Sequence, residues 1–340
     1  VYTNVASLVM FIAFIAMVFS MGDAVSTFRL PAVAAAVREG AIGPIGALAP
    51  GAVELLVFIA IFMGFAVKVP VAPLHTWLPD AHVQAPTPVS VMLAGVLLKM
   101  GTYALLRFNF TMFPDAAVTL AVPIAAIAVI SVIYGALLAL AQTDLKRVVA
   151  YSSVSSMGYV ILGLVAYTSF GVGGATFQMV AHGLISGLMF MAVGVIYNVT
   201  HTRQIAEMSG VTDRLPVAAW IFVAGAFGYM GLPLMAGFAA EFFIFKGAFA
   251  STVTPLMPIF TALAMFGIVI VAGYLLFAMQ RALFGPFRVS GMEDLPRAAR
   301  HDVAPMVVLL ALIIILGVAP ELIFGMIQDA VGPLLPGGRS

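Results

Sequence analysis

The stretch FIAIFMGFAVKVPVAPL, residues 58–74, decides the fold. Its apolar side chains suit lipid, yet it carries Lys68 and, shortly after it, Pro70 and Pro73. Proline lacks an amide donor and its ring clashes with the preceding turn, so a helix running through this stretch must break. The apolar run around it extends from 53 to 82, whereas a straight span needs only about 20 residues. The expectation is a transmembrane helix broken inside the membrane, where the freed backbone groups need protein or a polar cavity around them.

Working outward, further runs of span length lie at 4–22, 87–108, 118–141, 147–167, 172–197, 217–250, 257–285 and 303–327, giving nine expected spans. The run 217–250 is again too long for one straight helix, and Gly231, Pro233 and Gly237 interrupt it. Two broken helices in corresponding places are the sequence pointer to a transporter with inverted repeats. Composition agrees. Of 340 residues, 63% are apolar and 9% charged, with a mean hydropathy of +1.15. A soluble domain carries about 25% charged residues, so the solvent here must be largely lipid. The fold class expected is an all-α polytopic membrane protein. A net charge of +1 gives no reason to expect nucleic acid. The chain has no cysteine, which rules out disulfides, thiolate metal sites and iron–sulfur ligation by its own residues. Val1 opens almost directly into an apolar run with no charged leader or small-residue cleavage site. The reading is the C-terminal part of a longer protein rather than a signal peptide.

Basic residues set the expected orientation. Lys146, Arg147, Arg203, Arg214, Arg281, Arg288, Arg297 and Arg300 fall on one side of nine spans, against Arg29, Arg38, Arg107 and Arg339 on the other. The first side is expected to be cytoplasmic and the C-terminus to face outward. In the outward segment 23–52, FRLPAVAAAVRE has the pattern of a helix lying on the membrane surface.

Four ionisable residues stand where lipid-facing sequence would exclude them. A charge at a helix centre costs roughly 2.5–3.5 kcal/mol on insertion scales. Lys68 precedes the first break, Lys99 sits mid-span in VMLAGVLLKMGTYALL, and Glu241 follows the second break in GLPLMAGFAAEFFIFKG. His182 is central in GATFQMVAHGLISGLMFM. Buried ionisable groups disfavour their charged forms, which lets them take up and release protons near neutral pH. Together they read as a proton path. The plainer alternatives are pairing of Lys68 with carbonyls freed at the break, and a merely hydrogen-bonded His182 beside the packing glycines Gly183 and Gly187.

Other polar residues read more simply. Lys246, near its helix end, is expected to snorkel. Asp144, Lys146 and Arg147 look like an acid at a helix start with positive-inside anchoring. His75 and His82, seven apart, would share a helical face if that stretch were helical, but with only Asp80 as a third ligand they make a poor metal site. Glu54 sits at a helix end. GVGG, residues 171–174, reads as a helix-connecting turn, too weak a signal for phosphate binding.

Several of these stretches share a pattern. KVPVAPLHTWLPDAHVQAPTPVSVMLAGVLLKMGTYALLRF (68–108), QTDLKRVVAYSSVSSMGYV (142–160), QMVAHGLISGLMF (178–190), HTRQIAEMSGV (201–211) and GLPLMAGFAAEFFIF (231–245) occur in one order and spacing. This resembles the antiporter-like membrane subunits of proton-pumping NADH:quinone oxidoreductase, respiratory complex I, over nearly the whole chain. Hydrogenase and multisubunit Na⁺/H⁺ antiporter relatives share much of the pattern. The resemblance implies an antiporter-like inverted-repeat bundle, with 1–108 ending the first repeat, 118–285 forming the second and 303–327 the terminal helix. It places Lys68, Lys99, His182 and Glu241 in the family's proton relay. It implies no cofactor or metal in this chain, with NADH, flavin, iron–sulfur clusters and quinone in partner subunits. It also implies other membrane and peripheral subunits as partners, and a bacterial or archaeal plasma membrane. The family's acid that pairs with the lysine at Lys68 would precede Val1. Where the family often reads Ser-His-Met-Gly, this chain reads Ser155-Ser156-Met157-Gly158, so the relay there would run through water held by Ser152, Ser153 and Ser155. A sodium–proton antiporter subunit, a subunit of a membrane-bound hydrogenase-type complex, or a structural subunit without pumping are the competing readings.

Overall fold

The computed structural model describes residues 1–22, 29–287 and 300–335, and they fold as an all-helical bundle. Arg288, Arg297, Arg339 and Phe28 lie outside the described residues, as does the side chain of Arg300. Helices α1 (Tyr2–Met21) and α3 (Pro50–Lys68) are long and apolar enough to cross a membrane. So are α5 (Thr87–Phe110), α7 (Ala121–Leu140), α8 (Leu145–Val165), α9 (Ser169–Thr200), α12 (Met257–Ala282) and α13 (Arg300–Val318). The shorter helices, apart from single turns such as Val211–Arg214, are α2 (Leu30–Arg38), α4 (Trp77–Gln84), α6 (Pro114–Thr119), α10 (Pro216–Tyr229), α11 (Ala236–Phe249) and α14 (Glu321–Val331). The bundle is a multi-pass membrane protein, with Leu, Ile, Val and Phe exposed along α1, α3, α7 and α12 where a water-facing protein would carry charge.

Burial orders the helices. The best membrane-length window of α8 is 94% buried and that of α9 is 78% buried, against 17% for α1 and α13, so α8 and α9 are the axis. Close approach makes this possible. Gly135 of α7 meets the backbone of Ser155, and Gly158 of α8 meets the carbonyl of Ala128, each at a distance where a side chain would not fit.

Both expected breaks occur. α3 makes its last helical bond from the Val69 amide to the Phe65 carbonyl at 2.9 Å, and the chain turns through Pro70–Thr76 before α4 begins. The Trp77 indole donates to the orphaned Val67 carbonyl at 2.7 Å and the Ser131 hydroxyl accepts from the Ala72 amide at 3.0 Å, so neighbouring groups satisfy the opened backbone. Between α10 and α11 the chain turns with Gly231 at φ +64° and Leu234 at φ +74°.

Two expectations about the helices need correction. The run 303–327 is not one helix: α13 ends at Val318, Pro320 cannot continue its hydrogen bonding, and α14 runs separately over 11 residues, too short to cross. GVGG is not a connecting turn but lies inside α9, where Gly174 packs against the backbone of α11 at Phe243 and Ile244. Around Lys99, α5 carries two wider π-type stretches, Leu93–Leu97 and Leu105–Phe110, which the sequence did not suggest. The surface segment does form α2, but it turns Val33 and Val37 into the bundle, and Arg38 donates to the Thr111 carbonyl at 2.8 Å.

Candidate functional site

The centre of the bundle brings Lys99 and His182 together. α5 and α9 approach so closely at Gly95 and Gly183 that a Cβ on Gly183 would stand 2.9 Å from the Gly95 carbonyl oxygen. The Lys99 stem is half-buried, but its amine turns inward to the Ala94 carbonyl and to His182 Nδ1, the latter at 2.6 Å. The Ala94 carbonyl lies in the first π-type stretch, where the ladder is loosened and its acceptors are accessible to a side chain. His182 is 1% exposed. Its other nitrogen, Nε2, faces the Tyr229 hydroxyl at 3.5 Å, with the two rings edge to face at 5.6 Å.

From Tyr229 the polar row continues into α8. The Tyr229 hydroxyl is 3.5 Å from Ser153 Oγ. Tyr274 is buried, and its hydroxyl has no hydrogen-bond partner among the described residues. The buried Tyr159 hydroxyl donates to the Ala264 carbonyl at 3.3 Å. Glu241 is 5% exposed on α11, with the break residue Gly231 so close that a Cβ there would stand 2.5 Å from Glu241 Oε2.

The serines divide by partner. Ser152 and Ser153 donate to the Val148 and Val149 carbonyls of their own helix, and Ser153 also lies beside the Tyr229 hydroxyl. The Ser155 hydroxyl donates to the Val132 carbonyl of α7 at 2.9 Å and ties the two helices. Ser156 is buried and forms no hydrogen bond among the described residues.

Lys68 departs from expectation. It is exposed rather than buried, and it has no ion pair or hydrogen bond among the described residues. The reason is packing: its Cβ lies against Gly101 of α5 (3.3 Å from a Cβ built there), and the side chain leaves the bundle where α3 ends. Its backbone is thus near Lys99 in space while its ammonium is not part of the central cluster.

At the end of the bundle expected to be cytoplasmic, the residues near the loops form a second polar group. Asp144 caps α8, accepting from the Lys146 and Arg147 amides at 2.8 and 3.2 Å, and pairs with Arg203 at 2.6 Å. Lys146 donates to the Ala85 carbonyl at the end of α4 at 2.7 Å, and Arg147 pairs with Asp80 at 3.3 Å. A cavity of about 470 Å³ lies between Gln84, Thr87, Lys146, Asn198 and Arg203. His82, buried against the Phe190 ring at 4.3 Å, has no hydrogen-bond partner on either nitrogen among the described residues. His75 and His82 do not share a helical face, because His75 precedes α4 and meets Tyr134 and Tyr151 instead. Among the described residues there is no group of three or more metal-ligating side chains. Lys246 is exposed over the Phe170 ring at 3.5 Å, in line with snorkelling.

What sequence reasoning missed is Tyr229 and Tyr274. An aromatic residue inside an apolar span carries no one-dimensional sign of which polar group it will touch.

A membrane bundle with two helices broken at mid-length, and ionisable residues at its centre and beside one break, defines the antiporter-like class of polytopic membrane proteins. Residues 1–267 match the family model described as NADH:quinone oxidoreductase/Mrp antiporter, TM, and the chain belongs to that family. It is 42% identical over 288 residues to NADH-quinone oxidoreductase subunit M of Rhodobacter capsulatus, covering 84% of this chain and 55% of that protein. The chain therefore spans about half the length of the curated relatives it matches. Its fold resembles a chain of respiratory complex I from Thermus thermophilus with bound NADH, with a TM-score of 0.83 and 28% identity over 99% of this chain and 68% of that one. A chain of the Mrp complex from Dietzia sp. has the same fold, with a TM-score of 0.83 and 19% identity over 98% of this chain and 66% of that one.

Proposed function

We propose that this chain is part of a proton-translocating membrane subunit of a respiratory NADH:quinone oxidoreductase, the counterpart of subunit M, and that it carries no redox centre of its own. The observation that carries the reading is the Lys99 Nζ–His182 Nδ1 contact at 2.6 Å, an amine and an imidazole placed together inside an apolar bundle. Two basic groups so close cannot both be protonated without strong repulsion, so one proton is shared or passed between them. Lys99, His182 and Glu241 form the path, with Lys68 feeding it from the first break. The exposed Lys68 ammonium is suited to an acidic partner on an adjacent helix of the longer protein.

Quinone chemistry in a neighbouring subunit supplies the driving force electrostatically; NADH, flavin, iron–sulfur clusters and quinone belong to partner subunits. Residues 1–108 end one inverted repeat and 118–285 form the second, which would relate the break after α3 to the break after α10. The setting is a bacterial or archaeal plasma membrane, with the Asp144–Arg203 end cytoplasmic.

The test uses Lys99→Ala and Glu241→Gln in the assembled complex, following quinone reduction and proton translocation together. Loss of translocation in both supports the reading. Normal translocation with normal assembly in both overturns it. A second reading, a subunit of an Mrp-type Na⁺/H⁺ antiporter, is favoured by the fold shared with the Mrp complex. Purification of the native complex separates the two: co-purifying flavin and iron–sulfur subunits support the oxidoreductase.

A further inference from the structure

We propose that the Tyr229 hydroxyl carries the proton between His182 and the serines of α8, a role that rests on the proton-path reading above. The Lys99–His182 pair and Glu241 sit on different helices. Tyr229, buried at the end of α10, is the next polar group beyond His182. Its hydroxyl stands 3.5 Å from His182 Nε2 on one side and 3.5 Å from Ser153 Oγ on the other.

The chemistry suits a hydroxyl. A phenol donates one hydrogen bond and accepts others, so it can receive a proton on one lone pair while releasing its own. In the step proposed, the N–H bond at His182 Nε2 breaks as its proton bonds to the Tyr229 oxygen. The former Tyr229 O–H bond breaks in the same event, and that proton bonds to Ser153 Oγ. Ser153 in the same event releases its own proton to a water molecule of the path, so the positive charge given up by the His182 imidazolium is carried onward by that water. Tyr229 and Ser153 begin and end neutral, so neither holds a charge in the apolar interior, where it would be costly. Distances of 3.5 Å are at the outer limit of a hydrogen bond, so transfer requires closure by about half an ångström, and hydrogen bonds of this kind commonly tighten in the working state.

Position also matters. Tyr229 is the last residue of α10 before the break at Met230–Met235. A small rotation of the unwound segment would swing the hydroxyl towards or away from His182 without unpacking the bundle, so the tyrosine is placed where a helix break can gate it.

The test is Tyr229→Phe in the assembled complex reconstituted in vesicles, run beside Lys99→Ala. Phenylalanine keeps the ring against His182 and removes only the oxygen. The expected result is a fall in proton translocation of about tenfold or more through this subunit, with an unchanged melting temperature. Translocation kept in Tyr229→Phe but lost in Lys99→Ala overturns the tyrosine's role and leaves the proton path standing. Translocation kept in both overturns the path and the tyrosine with it. Loss accompanied by a lowered melting temperature or failed assembly, and reproduced equally by Tyr229→Leu, assigns Tyr229 a packing role and also overturns the proposal.

Discussion

Lys99 of α5 and His182 of α9 are 83 residues apart in sequence and their nitrogens are 2.6 Å apart in space. The pairing depends on two glycines, Gly95 and Gly183, that let the helices approach, and on a π-type stretch that opens the Ala94 carbonyl to the lysine. A buried amine held by one carbonyl and one imidazole has few partners to compensate a full charge, so it is suited to letting a proton go.

Replacing Lys99 with arginine should therefore fail as a conservative change. Guanidinium remains protonated in any protein interior, so Lys99→Arg is expected to lower translocation by about tenfold or more. The measurement is proton uptake by vesicles at fixed quinone turnover; translocation near the parent level would show that the lysine serves only as a fixed charge.

Gly231 should tolerate no side chain. Its φ of +64° disfavours any L-residue, and a Cβ would stand 2.5 Å from Glu241 Oε2. Gly231→Ala is expected to cost at least about 1–2 kcal/mol from the backbone alone, and to displace the carboxylate. Gly273→Ala, where nothing lies within 4 Å of the added carbon, is the control and should be neutral or mildly stabilising. Thermal unfolding of the two variants decides this, and equal melting temperatures would contradict it.

The Asp144–Arg203 contact at 2.6 Å joins the α8 cap to the loop after α9. Asp144→Ala removes a helix cap and leaves Arg203 without its carboxylate, for an expected loss of about 1–3 kcal/mol. A double-mutant cycle with Arg203→Ala isolates the pair. A coupling energy indistinguishable from zero would mean that only the cap matters.

Lys246 lies five residues beyond Glu241 but faces outward over Phe170. Lys246→Met is expected to leave translocation within about twofold of the parent, as befits an exposed cation–π contact. A loss as deep as that of Glu241→Gln would place Lys246 in the path.

Much of this architecture was legible because membrane spans are long, apolar and punctuated. Pro70 and Pro73 located one break, Gly231 and Pro233 the other, and a lysine in the middle of VMLAGVLLKMGTYALL needed a reason to exist. Three things were not legible. The direction of the Lys68 side chain depends on the angular phase of α3 against α5, and hydropathy is blind to phase when all faces are apolar. The further break near Pro320 was hidden because the proline sits between two segments that are each apolar enough to merge. Tyr229 and Tyr274 were passed over because a tyrosine in an apolar span is compatible with core, lipid or site. Only the packing of α10 against α9 turns the Tyr229 hydroxyl to His182 and Ser153. Ser155, by contrast, was grouped with Ser153 by sequence but lies about 200° from it around α8, and its hydroxyl donates to the Val132 carbonyl.

The central claim is that protons pass through the contact between Lys99 and His182. The direct measurement is the number of protons translocated per quinone reduced in vesicles containing the assembled complex with His182→Ala. The account predicts a lowered ratio with the complex intact and quinone reduction still measurable. A ratio equal to that of the parent complex, with assembly and turnover unchanged, would contradict it.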